Sequence, residues 1–261
     1  MIVTPFQTEK LTKPFNLNQF VDSFVGEKVH NGDVLVIASK VVSIAENQVV
    51  NLKKLVITEE AWALSAEFKM DEKFCQAVLS EADEILGGVP GVISTMKNGI
   101  VTPYAGVDKS NVPKDHAVLW PKNPAKTAQE IKDYFKNERK VSIGVIISDS
   151  QVVPLRVGSY GVAIAIAGFE GIVSKIGEKD LFGKKMLVTR LNLADNLASA
   201  ANLVMGETIE RCPITVISGI KLELSDESAF LLSRKLLMSP AECLIFGSLS
   251  SWGLENDSSN L

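Results

Sequence analysis

The fold of this chain is decided at residues 144–158, which read GVIISDSQVVPLRVG. The apolar start, rich in valine and isoleucine, is typical of a buried strand and ends abruptly at Asp149 and Ser150. The chain then becomes apolar again, with a single charge, Arg156, between leucine and valine. The residues allow two interpretations: a buried strand with an ordinary polar end, or a strand that carries a carboxylate into a site.

Composition indicates a globular protein that does not bind nucleic acid. The 261 residues are enough to bury a core, and 46% apolar and 22% charged residues are ordinary fractions for a soluble protein. The formal net charge of -4 argues against nucleic-acid binding, which normally needs a basic face. Because Cys75, Cys212 and Cys243 form no CxxC pair, we expect reduced thiols and neither a zinc site nor a disulfide framework.

Two further features narrow the function classes. The first ten residues lack the basic start and apolar core of a signal peptide, and no stretch has the roughly 18 apolar residues that cross a bilayer. We therefore expect a soluble, cytoplasmic protein without a membrane partner. Only His30 and His116 are present, which excludes a His-rich metal site. An enzyme of this composition would rely on carboxylates and bound metal.

Hydrophobic periodicity predicts a chain that mixes helices and strands. A strand at 34–39 opens into the pair Ser39-Lys40, and Asn98-Gly99 predicts the two-residue turn of a β-hairpin. Helices are predicted within 16–29, 58–70, 71–82, 123–139, 193–207 and 226–238, and further strands within 141–148, 158–168 and 213–219. The predicted apolar stripe of the helix at 193–207 is Leu193, Leu197, Ala201 and Val204. Because strands and helices do not alternate strictly, we expect an α+β fold.

No familiar nucleotide-binding or hydrolase motif is present. The segment GEKDLFGKK at 177–185 has five residues between its glycines and no Ser or Thr after the lysine, so it is not a P-loop. No GxGxxG follows a strand, which leaves a dinucleotide-binding fold without support. Neither a GxSxG elbow nor an HExxH pair occurs.

Acidic and small polar residues follow three apolar segments. These are AGVDKSN at 105–111, IISDS at 146–150 and VMGE at 204–207. Mg²⁺ usually binds through one or two carboxylates together with phosphate oxygens, so Asp108, Asp149 and Glu207 are candidate ligands. Each segment also has a purely structural interpretation, in which the aspartates end strands in polar turns and Gly206 ends a helix before a solvated Glu207. The residues by themselves leave both interpretations open.

Taken in order, several segments resemble the coenzyme F420-0:L-glutamate γ-glutamyl ligase family, whose members attach L-glutamate to a deazaflavin coenzyme precursor. The similar segments are GDVLVIASKVVSIAEN (32–47), AGVDKSNV (105–112), GVIISDS (144–150), PLRVGSYGVAIAIAG (154–168), KDLFGKKMLVTRLNLADNLASAANLVMGE (179–207) and PITVISG (213–219). They span about residues 32–219, and their common order and spacing make the resemblance specific.

The resemblance implies a fold and an assembly. The fold would be a mixed, irregular, two-part arrangement of sheets and helices, of the α+β type, that forms an intertwined homodimer. The ligase-like domain would comprise residues 1–219, within which a smaller lobe can be inserted. Residues 220–261 would form a C-terminal helical segment and a frayed tail.

The resemblance also implies a chemistry and the residues for it. The reaction would be GTP-dependent amide-bond formation between L-glutamate and a small-molecule acceptor, with two divalent ions (Mg²⁺ or Mn²⁺) and K⁺ as a further candidate. By motif match, the metal ligands would be Asp108, Asp149, Ser150 and Glu207, with Ser150 standing where the family usually has Thr. The nucleotide contacts would be Ser39, Lys40, Asn111, Met205, Gly206 and Glu207. The catalytic residues would be Asp108, Asp149 and Arg156.

Four positions depart from the family pattern. Ile44 replaces a basic residue that would help to hold phosphate, and Val152-Val153 replace a Gly-Arg pair. The continuation of MGE is TIERC (208–212) instead of a glycine-rich run, and LTKPF (11–15) lacks the usual loop pattern. Two cations for phosphate or an anionic substrate are therefore missing, while the carboxylates remain. We expect this protein to differ from its relatives in substrate or nucleotide.

Two other functions stay open at the level of sequence. The same ligase chemistry could act on a folate-like pterin acid, because both acceptors are pteridine-like carboxylates extended by glutamate. Alternatively, the chain could be a catalytically silent homologue that binds nucleotide or flavin, which the missing cations favour and the retained carboxylates oppose. GTP and ATP are both compatible with the sequence, as is the addition of one or of several glutamates.

Overall fold

The computed structural model describes residues 1–248 of the chain, and its architecture is α+β, as the sequence predicts. Its named strands are β1 (Ile2–Phe6), β2 (Val34–Ala38), β3 (Val49–Asn51), β4 (Glu84–Val89), β5 (Val92–Lys97), β6 (Ile100–Pro103), β7 (His116–Val118), β8 (Gly144–Gln151), β9 (Tyr160–Ala167), β10 (Ile172–Ser174), β11 (Arg190–Asn192) and β12 (Ile214–Ser218). The principal helices are α1 (Leu17–Val25), α2 (Ser39–Ala45), α3 (Glu59–Phe68), α4 (Glu72–Glu81), α5 (Pro124–Tyr134), α6 (Leu193–Met205) and α7 (Ala229–Arg234).

The largest element is a five-stranded mixed sheet with the order β1-β12-β2-β8-β9. Only β2 and β8 run parallel, and the other neighbours are antiparallel. Ala38 pairs with Ser148, so both parallel strands end at the same edge of the sheet. This pairing brings together two segments that are far apart in the sequence, and it determines where the polar residues after each strand lie.

Helices cover both faces of this sheet, which explains the continuous apolar runs in its inner strands. In β2, Leu35 and Ile37 pack with the side chains of α1 and α5, whereas Val34 and Val36 pack with α6. The strand β8 alternates in the same way, with Ile147 on the first side and Ile146 on the second. Each such buried side chain stabilises the fold by about 1.5–3 kcal/mol.

A second, smaller core lies beside the first. Helices α3 and α4 pack on each other and on the three-stranded antiparallel sheet β4-β5-β6, around Phe68, Phe74 and Ile93. The predicted hairpin is confirmed, because Asn98 and Gly99 connect β5 and β6 with φ values of 53° and 79°. Two positive φ values are the signature of the tight hairpin turn that Asn-Gly favours.

One strand of the large sheet was not predicted, and one prediction of local structure needs correction. Residues 2–6, which carry no strong strand pattern, form β1 because β12 offers an antiparallel partner. In α6 the buried residues are Ala194, Leu197, Ala198, Ala201 and Met205, while Leu193 and Val204 are only partly buried. The reason is close approach: a Cβ on Gly161 of β9 would lie 2.3 Å from the carbonyl oxygen of Ala198. The small side chains of Ala194, Ala198 and Ala201 therefore allow the helix to lie this near to the strand.

The remaining predicted elements are found. Helix α1 begins after Asn16, whose side chain accepts a hydrogen bond from the backbone N–H of Gln19 at 3.1 Å, as expected for an N-cap. The predicted frayed tail lies outside the described residues, and the domain boundary at 219 stays a prediction. Among the helices of residues 1–248, none combines the length and the apolar character needed to cross a membrane.

Candidate active site

The parallel pairing of β2 and β8 places Ser39 beside Asp149. The hydroxyl of Ser39, the first residue of α2, donates a hydrogen bond to Oδ1 of Asp149 at 2.8 Å, across 110 residues of sequence. Side chains of a strand alternate between its faces, so Asp149 and Gln151 share one face of β8 while Ser150 lies on the other. The polar end of β8 therefore contributes side chains to two neighbouring clusters.

Asp149 is a carboxylate that forms no ion pair within residues 1–248, although the charge of Lys40 favours its ionised form. Burial among protein atoms raises its pKa to about 6, the nearby charge of Asp108 acts in the same direction, and the hydrogen bonds from Ser39 and the Ser150 backbone only partly offset this. The amide of Gln151 donates to Thr102 Oγ1 at 2.9 Å and, at 3.4 Å, to Oδ2 of Asp149. A bound cation would remove the electrostatic cost of ionising Asp149 here.

Asp108 lies close by and is paired with Lys40. Its backbone is held by two hydrogen bonds with Val118, and Lys40 Nζ lies 2.5 Å from its Oδ2. The backbone N–H and the hydroxyl of Ser110 donate to the same carboxylate at 2.6 and 2.7 Å. Burial raises the pKa of Asp108, but the charge and hydrogen bond of Lys40 and the bonds from Ser110 outweigh it, so the pKa is lowered.

The second cluster is centred on Glu207, just after α6. Its Oε1 accepts hydrogen bonds from Ser150 Oγ, Ser159 Oγ and Asn202 Nδ2, each at 2.9 Å. Gly206 ends α6 with φ 73° and ψ 175°, a conformation that is essentially restricted to glycine. The turn at Gly206 thereby brings Glu207 back towards the last turns of its own helix and the end of β8.

The loop that follows Glu207 contacts the loop that follows Asp108. The side-chain amide of Asn111 donates to the carbonyl oxygen of Thr208 at 2.9 Å, and the backbone N–H of Thr208 donates to Glu210 at 2.8 Å. Met205, the last residue of α6, is buried in the core between this helix and the large sheet. The structure thus brings all predicted nucleotide contacts to one edge of the sheet, and their roles stay predictions.

Arg156 and two of the departing positions, Ile44 and Val152-Val153, lie outside these two clusters. Arg156 is exposed, and its guanidinium forms neither an ion pair nor a hydrogen bond within residues 1–248. Val152 and Val153 are exposed in the same loop, whereas Ile44 is buried in α2. The structure therefore does not bring Arg156 into either cluster. Within a single chain no contact supports its predicted catalytic role, which stays a prediction.

The donor set suits a hard divalent cation. Carboxylate and hydroxyl oxygens are the ligands that Mg²⁺ prefers, and Mg²⁺ needs only one or two carboxylates when phosphate oxygens and water complete its shell. Within residues 1–248 no group of three or more His, Cys, Asp or Glu side chains is already close enough to hold a metal. Asp108 and Asp149 nevertheless fit, because their charges interact and the charge of Lys40 does not fully compensate that of Asp149, whose pKa stays raised.

Sequence reasoning missed four polar residues of the site. They are Thr102, Gln151, Ser159 and Asn202. Gln151 follows Asp149 with the period of a strand and could have been found from that spacing. Ser159 and Asn202 reach Glu207 only through the packing of α6 on β9, for which the sequence has no local signal.

Comparisons with known proteins show which family this chain resembles. The family model described as F420-0:Gamma-glutamyl ligase matches residues 7–219. The chain is 38% identical over 205 residues to the coenzyme F420:L-glutamate ligase of Methanocaldococcus jannaschii, which covers 78% of this chain and 81% of the relative. Enzymes of the same name from Methanopyrus kandleri (34% over 215 residues, 82% and 85%) and Methanothermobacter thermautotrophicus (36% over 195 residues, 74% and 77%) are also similar.

Proposed function

Because the chain belongs to the F420-0:gamma-glutamyl ligase family, we propose that it joins L-glutamate through a γ-glutamyl link to a deazaflavin coenzyme precursor, with GTP and two divalent ions, Mg²⁺ or Mn²⁺. The observation that carries the proposal is the pair of carboxylates, Asp108 and Asp149, which meet at one edge of the sheet beside the cation Lys40. Neither a folate-like acceptor nor a silent homologue finds support among the relatives.

The proposed reaction has two steps. An oxygen of the acceptor carboxylate attacks the γ-phosphorus of GTP, the bond to the β-phosphate oxygen breaks, and GDP leaves. The amine of L-glutamate then attacks the acyl carbon of this acyl phosphate, the carbon–oxygen bond breaks, and phosphate leaves as the nitrogen loses a proton. Phosphoryl transfer of this kind depends on alignment and neutralisation of charge more than on a protein nucleophile.

The chain's own residues serve the first step by position and charge. Asp108 and Asp149 would hold the divalent ions, which in this reaction neutralise phosphate charge. Lys40 lies at the N-terminus of α2 and can turn from Asp108 to a phosphate oxygen once a cation replaces it. Glu207, held by three hydrogen bonds, would orient the second ion.

We also propose that the working unit is a homodimer. Large apolar side chains stand almost fully exposed in two loops, with Leu155 and Val157 in one and Leu181 and Phe182 in the other. We infer that they belong to an interaction surface, because large exposed apolar patches mark sites that a partner covers. A second copy would bury these loops and could bring an exposed Arg156 towards a site.

Turnover with defined substrates tests the function. We expect γ-glutamylated product and an equal amount of GDP when the protein is given GTP, Mg²⁺ or Mn²⁺, L-glutamate and the deazaflavin precursor, and no product with EDTA. Parallel reactions replace GTP by ATP and the acceptor by a folate-like pterin acid, and mass spectrometry counts the added glutamates. Absence of product from the deazaflavin acceptor under all of these conditions would refute the proposal.

A further inference from the structure

A cavity opens beside Asp108, one of the proposed metal ligands, between the small core and the loop that carries this residue. It has a volume of about 290 Å³ and is lined by Met70, Asp71, Phe74, Gly91, Tyr104, Val107, Asp108 and Lys109. Sites for small molecules are concave, mostly apolar and near this size at their lower limit. Asp108 belongs both to the cavity wall and to the candidate active site, so a molecule in the cavity would reach the reacting groups.

The wall of the cavity is aromatic. The rings of Phe74 and Tyr104 meet edge to face, with centroids 5.3 Å apart and an interplanar angle of 62°. The hydroxyl of Tyr104 donates to the carbonyl oxygen of Gly91 at 2.7 Å, which holds this ring in place. A rigid aromatic wall favours a flat aromatic ligand, because offset-stacked and edge-to-face contacts both become available to it.

A cation lies over one of these rings. Nζ of Lys109 lies 4.2 Å from the centre of the Phe74 ring, within the range of a cation–π contact. Lys109 is exposed and forms no ion pair with any carboxylate in residues 1–248. The ammonium group can therefore leave the ring and pair with an anionic group at the mouth of the cavity without losing a salt bridge.

The backbone of this wall is held in an unfavourable conformation. Tyr104, Ala105 and Gly106 all have positive φ, at 57°, 53° and 72°, which is rare for residues with a Cβ. Neighbouring residues hold this conformation: the N–H of Ala105 donates to Thr95 Oγ1 at 2.8 Å, and Gly106 lies against the Trp120 ring. Such segments persist where the surroundings over-determine them, and they cluster at ligand sites.

We propose that this cavity binds the planar aromatic ring of an anionic substrate, with the ring against Phe74 and Tyr104 and the anion paired with Lys109. The inference rests on the proposed function, which supplies two such substrates, the deazaflavin acceptor and the guanine nucleotide. Both combine a flat ring with a phosphate-bearing chain, and the cavity geometry suits this shared chemistry. Lys109 moves from the Phe74 face when the ring enters.

The experiment measures binding and not turnover. Two pairs of ligands are titrated by calorimetry: the phosphorylated deazaflavin precursor with its dephosphorylated ring compound, and GDP with guanosine. The variants are Phe74→Leu, which keeps apolar bulk but removes the ring, and Lys109→Met, which keeps the stem but removes the charge. Lys114→Met is the matched control, since Lys114 is an exposed lysine of the same loop outside the cavity wall.

One pair of ligands should respond in a defined pattern. Phe74→Leu should weaken both members of that pair, whereas Lys109→Met should weaken only the anionic member, by about tenfold, and reduce its dependence on salt. The responding pair identifies the occupant. Circular dichroism checks that Phe74→Leu is folded. If the wild type binds a ligand and neither variant changes its affinity, the proposed ring subsite is wrong, while the proposed function is unaffected. A wild-type protein that binds none of the four ligands would instead contradict the proposed function.

Discussion

At the scale of single residues, Asp149 shows how one carboxylate connects stability with function. Its pKa of about 6 lies above its ordinary value of 3.8, because the folded protein disfavours the charged form. For an acid with a raised folded pKa, stability is lost as the pH rises from about 4 to about 6 and stays lost above that range. Without a bound cation, the folded protein therefore bears this cost at neutral pH.

Asp149→Asn should remove that cost. In EDTA at pH 8, we expect the free energy of unfolding to rise by about 1–2 kcal/mol, less than the full value of the pKa shift because the side chain keeps some solvent. At pH 4.5 most of the gain should disappear. Urea unfolding at both pH values measures this, and an equal gain at pH 4.5 would contradict the assigned cause.

The same variant should lose its activity while it gains stability. Removal of a metal ligand is expected to lower kcat by at least about 100-fold, because the amide cannot supply the charge that holds a divalent ion. The control is Asp115→Asn: a hydrogen bond from Lys53 lowers the pKa of Asp115, so this variant should not become more stable at neutral pH. Full turnover by Asp149→Asn would refute its role as a ligand.

At the scale of elements, the end of α6 determines where Glu207 lies. Gly206 combines positive φ with extended ψ, and a Cβ there would lie 2.3 Å from Cδ of Glu210. Glu210 in turn accepts a hydrogen bond from the N–H of Thr208, so the loop behaves as one unit. The backbone conformation of Gly206 thus determines the position of Glu207, a predicted nucleotide contact.

Gly206→Ala is the matching test. We expect a loss of about 1–3 kcal/mol in stability from the strained backbone, together with a higher KM for nucleotide because the loop after α6 shifts. Gly177→Ala is the control, since Gly177 also has positive φ, at 87°, but open space around its Cβ position. Thermal unfolding of both variants measures the cost of the strained backbone, and steady-state kinetics measures the effect of moving the loop after α6. An unchanged KM for nucleotide in Gly206→Ala would contradict the link between Gly206 and the nucleotide contact.

At the scale of the whole molecule, the exposed apolar loops concern assembly. Leu155 and Phe182 are 103% and 96% exposed, so a charge at either position costs nothing within the single chain. In a homodimer that buries these loops, Leu155→Asp or Phe182→Asp should place an unpaired charge in the interface and shift the protein towards monomer.

Light scattering after size-exclusion chromatography measures the mass of each variant. Val56→Asp is the control, because Val56 is also exposed, at 85%, but lies between Leu55 and Ile57, which pack against the smaller core. The wild type and Val56→Asp should have the mass of a dimer, and the two loop variants a lower average mass. A monomeric wild type would refute the homodimer.

The sequence by itself predicted six of the seven principal helices of residues 1–248, the Asn98-Gly99 hairpin and four strands of the large sheet. These elements, among them the strand that carries Asp149, follow from periodicity and turn residues, which act over a few positions. Only the tertiary structure decided which of these residues meet. The parallel pairing of β2 with β8 joins Ser39 to Asp149, and the close contact of α6 with Gly161 brings Ser159 and Asn202 to Glu207. Contacts of this kind depend on packing between segments far apart in the chain, and such packing leaves no local pattern in the sequence.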